Sequence, residues 1–176
     1  RTVENGFVTE FTAGDACGLY VTQNGKVTSE NIKLTLTQAD GKLEWTLPQG
    51  TTLHFNSADR YFLYYPYQET LQGTVDPNAD DDAAFFADVI SKWTPKADQS
   101  NYKDGYTASD LMTAAAPLSP VKNEDGRINL PFSMTHRMAM AVIEVPRTIY
   151  RFTNSENGGI PDYVTSADFG ENKPYK

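Results

Sequence analysis

A length of 176 residues suits one ordinary domain with a buried core, without disulfides or metal ions to hold it together. The formal net charge of −8 and the isoelectric point near 4.7 argue against nucleic-acid binding, because neutralising phosphates requires clustered Lys and Arg. Aromatic residues make up 12% of the chain, which favours β structure, and the single cysteine excludes an intrachain disulfide.

The clearest local element is a β-hairpin in NIKLTLTQADGKLEWTLP, residues 31–48. Asp40 and Gly41 favour the positive φ angles of a type I′ turn, so an alternating strand is predicted on either side. The cross-strand pairs expected on one apolar face are Leu36 with Trp45 and Leu34 with Leu47.

Two more strands are predicted after the hairpin. Residues 51–56 alternate, with Leu53 and Phe55 on one face. Residues 59–67 carry large apolar or aromatic side chains on both faces, which predicts a strand that is covered on both sides. Pro66 ends the regular pairing of this strand, because proline lacks a backbone N–H.

A helix is predicted after a solvated loop at residues 76–82, where the spacing of apolar residues changes from that of a strand to that of a helix. The apolar residues that recur at helical spacing are Phe85, Phe86, Val89, Ile90 and Trp93. Asp81 and Asp82 lie where negative charge complements a helix N-terminus, and Pro95 limits the other end. A short surface helix is therefore expected between these signals.

The chain is more polar after the predicted helix. Residues 98–116 are predicted to form a long surface excursion, with a helical turn at residues 109–114. The Asp-Gly dipeptide at residues 125–126 predicts a second hairpin, which places Val121 opposite Leu130.

The longest predicted strand follows this second hairpin. Leu130, Phe132 and Met134 alternate with other residues, and residues 138–143 are apolar on both faces, as expected for a central buried strand. The tail contains one further predicted strand at residues 148–153, followed by a Gly-Gly-Ile-Pro turn.

Four segments, in this order and spacing, resemble the fimbrillin family of Bacteroidetes surface pilins. They are GDACGLYV (residues 14–21), DRYFLYYPYQ (59–68), DQSNYKDGYTASDLMTA (98–114) and LPFSMTHRMAMAVIEV (130–145). The resemblance implies a fimbrial shaft, anchor or tip subunit that is exported to the outer membrane and cell surface as a lipoprotein precursor. It also implies assembly with other fimbrial subunits by β-strand addition, and a host-surface protein or glycan as a further partner.

The expected fold class is all-β with a minor helix. The elements predict an antiparallel β-sandwich of about seven strands, and the resemblance implies that its topology is transthyretin-like. Residues 1–176 are expected to form this single amino-terminal domain, with residues 147–176 as its last strand and the start of a linker to a second domain. No apolar run approaches the roughly 20 residues that span a bilayer, so no transmembrane segment is predicted.

No catalytic, cofactor-binding or metal-binding residue is predicted, and the chain is not expected to be an enzyme. His54 and His136 lack Cys, Asp or Glu neighbours at metal-ligand spacing, and structural roles are expected for both. Asp98 and Asp110 form a carboxylate pair that glycoside hydrolysis would need, but two acids on a polar loop commonly occur by chance. Cys17 lies in an apolar run, which predicts a buried and unreactive thiol.

A weak cation site at residues 76–82 is an alternative to a helix-capping and solvating role for these acids. Asp76, Asn78 and Asp80 match the first three ligand positions of a calcium-binding loop. The pattern then fails, because Asp81 occupies the glycine position and an alanine replaces the closing glutamate.

Carbohydrate binding is the main alternative to a structural and adhesive function. The aromatic residues that could form a sugar-stacking platform are Trp45, Tyr61, Tyr64, Tyr65, Tyr67 and Trp93. Alternation buries at least half of the aromatic residues of such strands, so core packing explains most of them. The two functions differ in whether Trp45 or Trp93 is expected to be exposed to solvent.

Overall fold

The structure is a computed structural model of the chain, and it describes residues 3–5, 8–99, 105–117, 121–122, 124, 128–139, 149–152 and 161–164. The chain divides into two compact units, Arg1–Ala139 and Met140–Lys176. Strands make up most of the regular structure, and the described residues include two short helices. The prediction of an all-β fold with a minor helix is confirmed, whereas the predicted domain bounds stay a prediction.

The described residues of the first unit form ten strands. They are β1 (Val3–Asn5), β2 (Val8–Glu10), β3 (Ala16–Gln23), β4 (Lys26–Ala39), β5 (Lys42–Thr46), β6 (Asp59–Tyr65), β7 (Met112–Ala115), β8 (Val121–Lys122), β9 (Ile128–Asn129) and β10 (Thr135–His136). The helices are α1 (Asp82–Phe85) and α2 (Ala87–Lys92). Six strands form one antiparallel sheet in the order β10-β7-β6-β3-β4-β5, and β1–β2 and β8–β9 form separate antiparallel pairs.

The second unit contains one described strand pair. β11 (Ile149–Phe152) runs antiparallel to β12 (Pro161–Val164), with Ile149 opposite Val164. β11 confirms the strand predicted at residues 148–153.

The centre of the six-stranded sheet is buried on both faces. The side chains of β6 on one face are Tyr61, Leu63 and Tyr65, and those on the other face are Phe62 and Tyr64. β3 lies beside β6 and alternates in the same way, so the two strands contribute to an apolar cluster on each face. The strand predicted at residues 59–67 is confirmed, and it ends before Pro66.

β4 and β5 form the first predicted hairpin. Asp40 and Gly41 adopt φ angles of 50° and 76°, as a type I′ turn requires, and Leu36 pairs with Trp45. Both the turn and the register are therefore confirmed. The hairpin makes β5 the last strand at this edge of the sheet.

α1 and α2 cover one face of the sheet. The Asp81 carboxylate accepts a hydrogen bond from Ala84 N at 2.7 Å and caps α1. Phe85 and Phe86 are fully buried, and Phe85 stacks on Phe62 with ring centroids 4.0 Å apart. The predicted helix is confirmed as two short consecutive helices whose apolar side belongs to the core.

The strand predicted at residues 51–56 is wrong. The segment has no strand partner, and turns bound it at both ends, with Thr51 N bonded to Pro48 O and Asp59 N bonded to Asn56 O. Leu53 packs against the apolar face of the sheet while its neighbours stay exposed. The alternation therefore reflects one side-chain contact rather than a hydrogen-bonded ladder.

The helical turn predicted at residues 109–114 is wrong, and so is the surface excursion predicted at residues 98–116 over the part at 107–114, which is largely buried. Residues 98–99 are exposed as predicted, and residues 100–104 lie outside the described residues. β7 pairs with β6 on one side and with β10 on the other, and it is buried. The polar side chains in and before β7 can be buried because their hydroxyl groups form hydrogen bonds within the protein. Ser109 Oγ donates to Gly105 O at 2.6 Å, and Thr113 Oγ1 donates to Asp82.

The second predicted hairpin forms with a shifted register. β8 pairs with β9 so that Val121 lies opposite Asn129, one residue from the predicted partner Leu130. The turn residues 125–126 lie outside the described residues.

The long strand predicted after β9 is mostly unpaired in the described residues. Only the two residues of β10 join the sheet. Leu130, Phe132 and Met134 nevertheless pack against it and alternate with exposed residues, so the pattern was right about burial and wrong about pairing. The central strand predicted at residues 138–143 lies largely outside the described residues.

The six-stranded sheet is the one sheet of more than two strands within the described part of the chain. The β-sandwich and its transthyretin-like topology therefore stay predictions. Within the same residues, no helix has both the length and the apolar character needed to cross a membrane.

Candidate functional site

One face of the six-stranded sheet carries an open apolar groove of about 950 Å³, and the two helices lie on the other face. The described side chains that line the groove are Phe11, Cys17, Leu19, Leu34, Trp45, Leu47, Leu53, His54, Phe55, Tyr61, Leu63, Leu130, Phe132 and Met134. All except His54 are hydrophobic, so the groove offers apolar contact and few hydrogen bonds.

The floor of the groove is the apolar face of β3 and β6. Leu19 pairs with Leu63, which sets Cys17 and Tyr61 on the same face. Burial, assisted by the charge of nearby Asp15, raises the pKa of the Cys17 thiol well above its usual value. A buried, protonated thiol is a poor nucleophile, which agrees with the predicted unreactive role.

The walls of the groove come from segments on both sides of this floor. The β4–β5 hairpin contributes Trp45, and the segment before β10 contributes Phe132 and Met134. Phe11 packs edge-to-face on Trp45 and on Tyr65, with centroid distances of 5.6 and 5.2 Å. These ring contacts hold Trp45 in the wall.

A smaller, more polar pocket of about 350 Å³ adjoins the groove. The side chains common to both are Leu53, His54, Phe55 and Tyr61. Asp59 organises this pocket by accepting hydrogen bonds from Gln23 Nε2 at 3.1 Å and from the Tyr61 hydroxyl at 3.2 Å. Burial, with the Asp59 charge as a second cause, raises the pKa of Tyr61 to about 12, so its hydroxyl stays a donor.

His136 pairs with a carboxylate that sequence spacing did not connect to it. His136 Nδ1 lies 2.8 Å from Asp110 Oδ2, because the pairing of β10 with β7 brings their neighbourhoods together. The 26-residue separation gives no local signal for this contact.

Asp98 and His54 are the other two candidate residues. The backbone carbonyl of Asp98 lies beside Gly105, and His54 lines the groove.

The acidic loop at residues 76–82 is held by protein groups. The Asp76 carboxylate accepts a hydrogen bond from Asn78 N at 2.9 Å, and Asp80 forms an ion pair with Arg60 at 3.1 Å. No group of three or more His, Cys, Asp or Glu in the described part of the chain is arranged to hold a metal ion. The weak cation site stays a prediction.

A half-buried polar cluster, missed by the sequence reasoning, ties α1 to the edge of the sheet. Asp82 accepts hydrogen bonds from Thr113 Oγ1 and from the Arg137 guanidinium, and Arg137 Nε donates to Thr113 Oγ1 at 2.6 Å. Burial is the largest single influence on Asp82 and opposes ionisation. The hydrogen bonds from Thr113 and Arg137 and the guanidinium charge together outweigh it, so the pKa of Asp82 is lowered.

The aromatic residues considered for sugar stacking do not share one surface. The buried members are Tyr61 and Tyr65 on the groove face and Tyr64 on the helix face. Trp93 is half-buried and donates from Nε1 to a backbone carbonyl at 2.8 Å, while Tyr67 lies 5.3 Å from the Lys33 ammonium. Trp45 is 39% exposed and belongs to the groove wall.

Comparisons with known proteins agree on one family. Residues 1–171 match the model of the fimbrillin-like family. The chain is 34% identical over 164 residues to a candidate fimbrium tip subunit of Bacteroides ovatus, Fim1C, which covers 92% of this chain and 29% of that protein. A crystal structure of a fimbrial protein from Bacteroides ovatus is similar with a TM-score of 0.55 and 30% identity, over 74% of this chain and 25% of that one.

The chain spans less than a third of the length of either relative. Both relatives are fimbrial proteins, which agrees with the prediction of a non-enzymatic protein. The family model covers nearly the whole chain, as the four resembling segments implied. The chain belongs to the fimbrillin-like family.

Proposed function

We propose that the chain is a structural and adhesive subunit of a cell-surface fimbria and that a β-strand from a neighbouring subunit fills its groove. The fimbrial relatives support assembly with other subunits of a surface appendage. Export as a lipoprotein precursor, an outer-membrane location and a host-surface protein or glycan as ligand belong to the same proposal.

The observation that carries strand addition is the difference between the two faces of the sheet. On one face, α1 and α2 bury Phe85, Phe86 and Val89 completely. On the other face, the groove leaves about 950 Å³ lined by apolar side chains. Burying apolar surface contributes about 25 cal/mol per Å², so the complex with a partner that covers this face would be stabilised in proportion to the apolar area it buries.

The structure around the groove favours an extended segment as its partner. The floor strands β3 and β6 present alternate side chains at strand spacing, which matches the period of an incoming strand. Leu130, Phe132 and Met134 line the groove, and residues 130–134 belong to no strand of the sheet. An added strand can place every second side chain on the floor. Because β3 and β6 are each paired on both sides, its main-chain hydrogen bonds would go to the segment at residues 130–134.

Strand addition is tested by the melting temperature of the chain with and without a strand peptide. The peptide has about nine residues, which is within the usual length of a strand, and carries Val or Leu at alternate positions. We expect the melting temperature to rise by several degrees, since each ~1 kcal/mol gained shifts a protein of this size by about 2–4 °C. A peptide of the same composition with consecutive apolar residues is the control. Equal melting temperatures with both peptides would contradict the proposal.

A groove variant shows whether the peptide binds where we propose. Leu34→Asp places a charge in the groove wall and is expected to abolish the effect of the alternating peptide. Leu43→Asp is the matched control, because Leu43 is 48% exposed on the same hairpin and does not line the groove. The peptide effect should persist in this control, and its loss in both variants or in neither would place the binding elsewhere.

Carbohydrate binding is the second candidate function, and the position of Trp45 favours it. Trp45 is exposed in the groove wall, and the polar pocket that adjoins the groove is lined by Thr52, His54 and Asn56. An aromatic ring beside amide and hydroxyl groups suits a sugar. Saturable quenching of tryptophan fluorescence by a glycan, together with no response to the strand peptide, would support this function over strand addition.

A further inference from the structure

The outer edge of β5 forms a second interaction surface, which adjoins the groove at Trp45. We propose that β5 pairs antiparallel with β5 of a second copy of this chain. β5 is the terminal strand of the six-stranded sheet, and no described residue pairs with its outer side. An unpaired strand edge is a template for another strand.

The hairpin register determines which backbone groups point outward. Leu36 N donates to Asp15 O and Leu36 O accepts from Gly14 N, both at 2.8 Å, so the backbone of Leu36 faces the side of β3. Since the backbone groups of Leu36 point towards β3, they do not bond to β5. Leu36 and Trp45 are therefore a non-hydrogen-bonded pair of the antiparallel ladder, and the direction of the backbone groups alternates along each strand from there. Trp45 and Leu43 therefore direct their N–H and C=O groups away from β4 and towards the open edge.

The side chains on this edge are unusually apolar for an unpaired strand. Leu43 is 48% exposed and Trp45 is 39% exposed, and together with Phe55 they are the large hydrophobic residues exposed in the described part of the chain. Proteins generally protect edges that combine free backbone groups with apolar side chains, because such edges associate. A partner strand at this edge would cover both residues.

The charges of β5 favour a second copy of the same strand as the partner. Lys42 and Glu44 are exposed on one face, with Leu43 between them on the other. In an antiparallel pair centred on Leu43, Lys42 of each copy lies opposite Glu44 of the other, so twofold symmetry creates two identical ion pairs. The two Leu43 residues then exchange backbone hydrogen bonds, because their groups point outward.

The neighbouring register, centred on Glu44, is less favourable. If the pair were centred on Glu44, the two Glu44 carboxylates would lie directly opposite each other, and like charges at that position are destabilising. A lone lysine on an edge strand usually deters pairing, but Glu44 compensates Lys42 in the register centred on Leu43.

The proposal is tested by sedimentation equilibrium of the whole chain over a range of concentrations. We expect a reversible dimer whose dissociation constant weakens by at least about tenfold in Lys42→Glu and in Glu44→Lys, because each change creates two like-charge pairs. The double variant K42E/E44K restores opposite charges and should return the dissociation constant to near that of the original chain. Lys26→Glu is the matched control, since this exposed lysine lies at the start of β4 and away from the edge.

Disulfide cross-linking tests the register. A mixture of the Lys42→Cys and Glu44→Cys variants should form a mixed disulfide on oxidation, because the proposed register sets these positions opposite each other. Cys17 does not interfere, since it is buried and protonated.

Three results would overturn the proposal: a chain that stays monomeric at every accessible concentration, a dimer that does not respond to the charge reversals, or a double variant that fails to recover. Neither Lys42 nor Glu44 lines the groove, so the melting response to a strand peptide should be the same in K42E. The edge proposal and the strand-addition proposal can therefore fail separately.

Discussion

Gly18 shows how closely individual residues pack in the centre of the sheet. A Cβ atom at Gly18 would lie 2.0 Å from Tyr64 Cε1 and 2.7 Å from Asn31 Oδ1. Tyr64 is fully buried, and its hydroxyl donates to Asn31 Oδ1 at 2.7 Å. The ring cannot move aside without giving up this hydrogen bond, so the position requires glycine because of close approach.

Gly18→Ala is therefore expected to lower the free energy of unfolding by about 1–3 kcal/mol, the usual cost of overpacking a core. Tyr64→Phe, which removes only the hydroxyl, should cost about 1 kcal/mol. Urea denaturation of both variants measures these values. An unfolding midpoint of Gly18→Ala equal to that of the original chain would show that Tyr64 has room to move.

Asp82 should make the stability of the chain sensitive to acid. Its pKa is lowered in the folded chain, so its stabilising contribution is fully present above the ordinary Asp pKa of about 4. This contribution is lost as the pH falls through the lower, folded value, because protonation weakens the pair with Arg137.

Unfolding free energies of the original chain and of Asp82→Asn, measured by urea denaturation from neutral pH down to about pH 3, test this dependence. The original chain should lose more stability over this range than the variant, which has no carboxylate to protonate. Asp80→Asn, at an almost fully exposed carboxylate, is the control. Parallel profiles for the original chain and Asp82→Asn would contradict the prediction.

At the scale of elements, α1 depends on its cap because it is only four residues long. Asp81→Ala removes the acceptor of the Ala84 N–H, and we expect a loss of about 1 kcal/mol in the free energy of unfolding. The neighbouring Asp80→Ala is the matched control, since a surface ion pair contributes little. Equal losses in the two variants would mean that the cap does not stabilise α1.

Elements fixed by local rules could be predicted from the sequence. The β4–β5 hairpin follows from the positive φ angles that Asp40 and Gly41 favour, and β6 follows from its run of large side chains on two faces. In each case a few neighbouring residues contain the whole signal. The register of Leu36 and Trp45 was therefore correct without any knowledge of the other strands.

Elements that depend on distant partners could not be predicted. Thr113 looked like a surface residue, because nothing near it in the sequence reveals Asp82 and Arg137, with which it shares a half-buried cluster. The segment around Leu53 looked like a strand because its alternation resembles one, yet no strand lies beside it. Composition and the apolar period indicate which side chains are buried, whereas strand pairing depends on residues elsewhere in the chain.

At the scale of the whole molecule, the groove combines segments that lie between Phe11 and Met134. The sequence showed that most of these segments have an apolar face. It could not show that the helices cover only one side of the sheet, because which element packs on which face is a property of the assembled fold. The individual lining residues were thus predictable as apolar positions, and the groove was not.

The groove and the β5 edge meet at Trp45, which lines the first and exposes its backbone at the second. A strand in the groove would bury the Trp45 ring, whereas a partner on β5 would bond to its backbone. Trp45 therefore reports on what fills the groove, provided that the emission of Trp93 is removed. Trp93 is distant from the groove lining and packs with the helix-side cluster.

The most direct measurement is the fluorescence of Trp45 in a Trp93→Phe variant, titrated with the alternating strand peptide at a concentration where the chain is monomeric. Strand addition predicts a saturable blue shift with the alternating peptide and none with the control peptide of consecutive apolar residues, because only the former moves Trp45 out of water. An emission spectrum that stays unchanged up to the solubility limit of the peptide, in a variant that is shown to be folded, would contradict a strand-accepting groove.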